Sequence, residues 1–216
     1  MTTGQQLFGQ DFEAVIFDFD GTLVDSHEAM LSAYGTWAEE FGISLELLPQ
    51  FLGMPNTALA EQVLPAELVP TAVARIEQLE VQSPEGVVPL PGALEALRLL
   101  GSAAGIATSC TMPLLVARSE AARLELPEVL VTRDQVENGK PAPDTFLAAA
   151  ERLGVRPERA LVVEDAPAGV AAARAAGCAV LGILSTLDAA TLGADVSVKD
   201  LSHISWQLSD GTISLW

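Results

Sequence analysis

Apolar residues occur along this chain in two patterns. Residues 15–17 (Val-Ile-Phe) form a short uninterrupted apolar run, which is typical of a strand buried inside a parallel sheet. In residues 26–41 the apolar positions recur at the spacing of an amphipathic helix, and Gly42 follows as a helix-ending signal. The pattern therefore predicts a core strand near the start of the chain and a helix soon after it.

From Gly92 onward the two patterns alternate. Strands are predicted at residues 106–109, 129–132, 161–163 and 179–183, and helices at residues 93–100, 113–124, 143–153 and 169–176. Alternation of this kind predicts an α/β fold, a Rossmann-like parallel sheet with helices on both faces.

The segment between these parts, residues 24–86, has no strand-like pattern. Prolines and glycines from residue 49 to residue 70 divide it into short helical pieces, and residues 72–81 predict a last helix. We therefore expect an all-helical insertion, with residues 1–23 and 87–216 forming the α/β core.

Composition limits the location and the partners of the protein. The 216 residues contain no apolar stretch long enough to span a bilayer, and the first residues lack the pattern of a secretory signal. Cys110 and Cys178 are the only cysteines, which predicts free thiols in a reducing compartment. We expect a cytoplasmic protein, a monomer or weak dimer, that does not bind a membrane.

The charge balance is strongly acidic. The chain has 11 Lys and Arg residues against 29 Asp and Glu residues, a net charge of −18, which argues against binding nucleic acid. The same field repels a phosphorylated substrate, so a site for one needs a local cation. Mg²⁺ and Lys140 both fit that need.

The most informative motif is Asp-Phe-Asp-Gly-Thr at residues 18–22, directly after the first predicted strand. Side chains at i and i+2 of an extended segment point the same way, so Asp18 and Asp20 can face one substrate. One carboxylate could attack an electrophile while the other transfers protons. By itself the motif also fits a strand end followed by a solvated Asp-Gly turn.

Three further motifs follow the ends of apolar runs. They are Thr108-Ser109, Lys140 in Asn-Gly-Lys-Pro-Ala-Pro-Asp, and Glu164-Asp165. All four motifs in this order resemble those of the haloacid dehalogenase superfamily of phosphohydrolases. The resemblance extends from about residue 14 to about residue 201, where residues 195–201 resemble the closing edge segment of the family.

The resemblance implies a role for each motif residue. Asp18 is expected to attack phosphorus and form an aspartyl-phosphate, and Asp20 to act as general acid and then as general base. Thr108, through its hydroxyl, and Ser109, through its amide, are expected to bind phosphoryl oxygens together with Lys140. The magnesium ligands implied are Asp18, the backbone carbonyl of Asp20, Glu164 and Asp165.

Residues 24–86 resemble the helical cap that one branch of the superfamily carries. The resemblance is to small sugar and polyol phosphatases, which implies a small phosphorylated metabolite as substrate. In this branch, cap residues select the ester. The candidates here are Met54, Asn56 and Glu80.

A β-phosphoglucomutase-like mutase is the alternative function, because it shares the cap and all four motifs. A mutase must grip a second phosphate, which calls for cationic residues in the cap. Arg75 is the only Lys or Arg between residues 1 and 86, which favours hydrolysis. A dehalogenase is disfavoured because its chemistry needs neither an acid at Asp20 nor a metal pair. A phospho-acceptor receiver domain is disfavoured because it carries its acidic pair on the first strand and lacks a cap.

Overall fold

A computed structural model of the chain describes residues 7–47 and 56–216. Its centre is a six-stranded parallel sheet. In chain order its strands are β1 (Ala14–Phe17), β4 (Ala104–Ala107), β5 (Val129–Val131), β6 (Ala160–Glu164), β7 (Ala179–Ile183) and β8 (Val196–Val198). The spatial order β5-β4-β1-β6-β7-β8 places β1 between β4 and β6. The predicted α/β class with a parallel sheet is confirmed.

Among the described residues, the other strands form two short antiparallel pairs, and there are eight α-helices besides a few single 3-10 turns. The pairs are β2 (Val24–Asp25) with β3 (Val88–Pro89), and β9 (Trp206–Ser209) with β10 (Thr212–Leu215). The helices are α1 (His27–Phe41), α2 (Asn56–Val63), α3 (Val69–Gln82), α4 (Ala93–Leu100), α5 (Met112–Ala122), α6 (Asp144–Leu153), α7 (Pro167–Ala176) and α8 (Ala189–Leu192).

The alternation of side chains along β1 explains why helices cover both faces of the sheet. Val15 and Phe17 belong to the core cluster that includes residues of α4 and α5. Ile16 belongs to a second cluster, with residues of α6 and α7. Helices cover both faces, so every residue of β1 is buried, and this explains why its sequence is apolar throughout and does not alternate with polar residues.

Helices α1, α2 and α3 form a separate apolar cluster. Trp37 lies in it, and its indole nitrogen donates a hydrogen bond of 2.9 Å to the carbonyl of Ala72. We call these three helices the helical unit. The chain enters the helical unit through β2 and leaves it through β3, and these two strands pair at Val24↔Pro89 and Asp25↔Val88. The sequence did not predict a strand at residues 24–25.

Some predicted boundaries differ from the structure for local reasons. Strand β4 spans Ala104–Ala107, not residues 106–109, because the chain turns at Thr108, whose hydroxyl oxygen accepts a hydrogen bond from the amide of Cys110. Helix α5 ends at Ala122 because Arg123 adopts a left-handed conformation with φ of 52°.

The described residues also show whether a helix could span a membrane and whether the two cysteines are paired. Over 7–47 and 56–216, no helix is long and apolar enough to cross a membrane. Cys110 and Cys178 are both buried free thiols.

Candidate active site

Three of the four motifs lie at the carboxyl ends of three adjacent strands, and the fourth, with Lys140, lies in the loop before α6. Phe17 of β1 pairs with Ile106 of β4 on one side and with Val163 of β6 on the other. Asp18 follows β1 directly, and its amide donates a hydrogen bond of 2.9 Å to the carbonyl of Val163. This edge of the sheet, where the strand order changes direction, is where open α/β sheets bind ligands.

Lys140 joins the first and last motifs. Its Nζ lies 2.5 Å from Oδ1 of Asp18 and 2.7 Å from Oε1 of Glu164, and only 6% of its side chain is exposed. Burial lowers the pKa of Lys140, but the carboxylates of Asp18 and Glu164 outweigh burial and raise it above its ordinary value. Lys140 is therefore a fixed positive charge in contact with two buried acids.

Glu164 is held by both of its carboxylate oxygens. Oε1 accepts from Lys140, and Oε2 accepts from the amide of Ala166 at 2.8 Å. Helix α7 approaches so closely that a Cβ on Gly169 would lie 1.5 Å from Oε1 of Glu164. Glycine at position 169 is thus required for the observed position of Glu164.

Asp18, Glu164 and Asp165 form an acidic cluster, with one oxygen of each within 4.8 Å of the others. Oδ2 of Asp165 accepts a hydrogen bond of 3.0 Å from Ser185, and Oδ1 accepts one of 3.4 Å from Thr22.

Three carboxylates and one lysine meet in the cluster, and the pKa values of two of the acids are raised. Burial raises the pKa of Asp18 well above its ordinary value, against the effect of Lys140. Burial, followed by the charge of Glu164, raises the pKa of Asp165 to about 7. Lys140 alone thus leaves negative charge uncompensated. A donor set of carboxylate oxygens suits a hard divalent cation, so these residues fit a Mg²⁺ site.

The carboxylate of Asp20 contacts Cys110 and Arg118, which both follow β4 in the chain. Its Oδ2 lies 2.8 Å from Sγ of Cys110 and 2.8 Å from Nη1 of Arg118. Its Oδ1 is buried and has no hydrogen-bond partner among the described residues. Nη2 of Arg118 in turn contacts Oε1 of Glu80 at 2.8 Å.

Sequence reasoning did not single out Arg118. The residue lies one turn after Leu114 and Leu115, on the face of α5 that is buried, and is itself 4% exposed. The sequence signal for Arg118 is a charged residue on the mainly apolar face of a predicted helix. Charges are rarely buried without a partner, so such a residue indicates a buried ion pair.

Two of the three cap candidates contact each other. The amide nitrogen of Asn56 donates to Oε2 of Glu80 at 3.0 Å, and the hydroxyl of Tyr34 donates to the amide oxygen of Asn56 at 2.8 Å. Met54 lies outside the described residues.

The two phosphate-binding candidates differ in exposure. Thr108 is 1% exposed, and its hydroxyl, which accepts from Cys110, keeps its own hydrogen for another acceptor. Ser109 is exposed. Both follow β4, the strand next to β1.

A buried aspartate, a lysine in contact with it and an acidic cation site meet at the ligand-binding edge of a parallel α/β sheet. This combination of charges suits the binding of an anionic group together with a cation. A family model described as haloacid dehalogenase-like hydrolase matches residues 15–183. The chain belongs to this family, which confirms what the four motifs indicated.

Several characterised proteins and solved structures are similar over most of the chain. Hexitol phosphatase A from Escherichia coli (strain K12) is 37% identical over 198 residues, covering 88% of this chain and 92% of that protein. Fructose-1-phosphate phosphatase YqaB from the same strain is 32% identical over 176 residues, covering 77% of this chain and 93% of that protein. The crystal structure of a hydrolase from Pseudomonas syringae has a TM-score of 0.75 at 29% identity, covering 88% of this chain and 94% of that chain.

Proposed function

We propose that this protein is a Mg²⁺-dependent phosphatase that hydrolyses small sugar or polyol phosphate monoesters through an aspartyl-phosphate on Asp18. The observation that carries the proposal is Lys140 between Asp18 and Glu164, beside the acidic cluster. The relatives named as phosphatases of hexitol phosphates and of fructose 1-phosphate support the substrate class.

In the first half-reaction a carboxylate oxygen of Asp18 forms a bond to phosphorus while the bond from phosphorus to the ester oxygen breaks. Asp20 transfers its proton to the departing alkoxide, which leaves as an alcohol. In the second half-reaction Asp20 takes a proton from a water molecule that attacks phosphorus. This step releases inorganic phosphate and restores the carboxylate of Asp18.

Asp18, the backbone carbonyl of Asp20, Glu164 and Asp165 are the proposed ligands of Mg²⁺, with one of the last two acting either directly or through a water molecule. When bound, the ion supplies positive charge that lets an anionic ester approach these carboxylates. Lys140 adds a second positive charge, held at a fixed position by burial. Thr108 and Ser109 are the proposed donors to the phosphoryl oxygens.

We further propose that residues 24–86, which include the helical unit, act as a cap over the site and that residues 1–23 and 87–216 form the core. Met54, Asn56 and Glu80 stay the cap candidates for substrate selection. Helix α3 already contacts the core beside Asp20, where Glu80 meets Arg118.

The charge of the cap supports a monoester over a bisphosphate. Arg75, the only Lys or Arg in residues 1–86, is paired with Glu40 at 2.6 Å on the outside of the cap. Apart from this paired arginine, the sequence of residues 24–86 contains no Lys or Arg to bind a second phosphate, which a phosphosugar mutase requires.

The test is a panel of esters with inorganic phosphate as the product measured. We expect phosphate release from fructose 1-phosphate, a hexitol phosphate and glycerol 1-phosphate. Glucose 1-phosphate with glucose 1,6-bisphosphate should give no glucose 6-phosphate above the control. Interconversion of the glucose phosphates without phosphate release would contradict the proposal.

A further inference from the structure

Arg118 connects the core, the cap and the carboxylate of Asp20. It lies on α5, opposite α3, and its guanidinium uses different nitrogens for two acids. Nη1 contacts Asp20 and Nη2 contacts Glu80, each at 2.8 Å, and 5% of the arginine side chain is exposed. A buried, planar and permanently charged fork of this kind fixes the orientation of the groups it binds.

The two oxygens of Asp20 have different surroundings. Oδ2 is held by Arg118 and by the thiol of Cys110, whereas Oδ1 is buried without a partner among the described residues. A buried carboxylate oxygen without a partner requires an explanation, and the proposed role of Asp20 in proton transfer supplies one. Because Arg118 and Cys110 both contact Oδ2, Oδ1 is the oxygen that has no partner among the described residues to displace when it exchanges a proton.

The other acid on Arg118 belongs to the cap. Glu80 is 6% exposed, and its second oxygen accepts from Asn56, which in turn accepts from Tyr34. These contacts tie one side chain from each helix of the helical unit to Arg118. Moving α3 away from the core would leave the buried Glu80 without its ionic partner and Arg118 with Asp20 alone, which opposes the motion.

We propose that Arg118 is a positioning residue for proton transfer. It holds Asp20 by Oδ2, presents Oδ1 to the reacting ester, and through Glu80 makes this orientation depend on the cap being docked against the core. This inference rests on the proposed phosphatase function.

If Arg118 only stabilises the fold, its loss should lower activity equally for all esters. If it positions Asp20, the loss of activity should depend on the leaving group of the ester. A sugar alkoxide needs a proton from Asp20 in order to leave, whereas the nitrophenolate of p-nitrophenyl phosphate departs as a stable anion. The quantity to compare is kcat/KM, which reports the steps up to phosphoenzyme formation and excludes its later hydrolysis.

The experiment measures kcat/KM for fructose 1-phosphate and p-nitrophenyl phosphate in the wild type, Arg118→Lys and Arg118→Met. General acid catalysis typically contributes about 10²- to 10⁴-fold. We expect Arg118→Met to lose at least about tenfold more on the sugar phosphate than on the aryl phosphate, with Arg118→Lys in between. Equal losses on both esters, or no loss on either, would overturn the proposal.

Further variants keep the test decisive if Arg118→Met folds poorly. The double variant Arg118→Met/Glu80→Gln also removes the charge that Glu80 would otherwise carry unpaired. Its folding is checked by circular dichroism, and its kcat/KM should again fall more for the sugar phosphate than for the aryl phosphate. Glu80→Gln alone should shift the ratio in the same direction by a smaller factor. A ratio equal to that of the wild type would exclude the link to the cap.

Arg75→Met is the matched control, because it removes an arginine–glutamate pair that lies within the cap and does not contact Asp20. It should leave the ratio of the two esters unchanged. Wild-type hydrolysis of fructose 1-phosphate tests the proposed function separately, since the inference depends only on how the variants change the ratio.

Discussion

Gly169→Ala tests how Glu164 is held in the site. In most helices alanine is preferred to glycine by about 0.5–1 kcal/mol, so the change would ordinarily stabilise α7. Here the added Cβ would lie 1.5 Å from Oε1 and 2.0 Å from Cδ of Glu164. The carboxylate must therefore move, and both of its hydrogen bonds are put at risk.

The expected cost follows from those two contacts. Glu164 accepts from Nζ of Lys140 at 2.7 Å and from the amide of Ala166 at 2.8 Å. Hydrogen bonds that involve charged groups contribute about 1.5–3 kcal/mol each, which exceeds the gain in helix propensity. We expect Gly169→Ala to lower the free energy of unfolding by about 2–5 kcal/mol. Phosphatase activity should also fall, because Lys140 loses one of its two acids.

The assay is urea unfolding at equilibrium together with kcat/KM on a sugar phosphate. Gly35→Ala is the matched control: Gly35 lies inside α1, and a Cβ there would meet nothing within 4 Å. That variant should be as stable as the wild type or more stable by up to about 1 kcal/mol, with unchanged activity. If Gly169→Ala behaves like Gly35→Ala, the reasoning about Glu164 is wrong.

The remaining predictions concern the cation and the second aspartate. Because burial raises the pKa of Asp165 to about 7, this group stabilises the metal-free fold at low pH and loses that contribution as pH rises through about 7. Mg²⁺ should therefore raise Tm more at pH 8 than at pH 5 in a thermal melt, and an equal rise at both would contradict the cation site. EDTA should abolish activity, and turnover in excess chelator would count against the metal. Asp20→Asn should still form a phosphoenzyme from an aryl phosphate but hydrolyse it slowly in rapid-quench experiments; hydrolysis at the wild-type rate would remove Asp20 from proton transfer.

Local patterns were enough to predict the α/β core and the position of its motifs. The buried run before Asp18 and the run before Glu164 each encode a strand, and parallel strands place their ends at one edge of the sheet. The contact between Lys140 and both acids follows from this topology, once the loop that carries Lys140 reaches the same edge.

Features that depend on contacts distant in sequence could not be predicted in this way. Nothing local to Arg118 shows that it lies between Asp20 and Glu80, because the three residues come from different segments of the chain. The need for glycine at position 169 involves a residue that is near in sequence, but it depends on the path of the turn that brings α7 against Glu164, which the local pattern does not show.

The C-terminal hairpin had a local signal that the sequence analysis did not use. Asp210 and Gly211 connect β9 to β10 with positive φ values of 49° and 75°, and Asp-Gly is a preferred two-residue hairpin loop. Strand pairing in this segment was therefore predictable from sequence, whereas its packing through Ile213 and Leu215 into the core was not.

The central claim, that Asp18 becomes phosphorylated during turnover, can be measured directly. The enzyme is mixed with a phosphate-labelled sugar phosphate and Mg²⁺, quenched in acid within milliseconds, digested, and analysed by mass spectrometry. We expect a labelled peptide containing residues 15–25 with the phosphoryl group on Asp18, lost on treatment with hydroxylamine and absent from Asp18→Asn. Label on another residue, or sustained hydrolysis of the ester by Asp18→Asn, would contradict it.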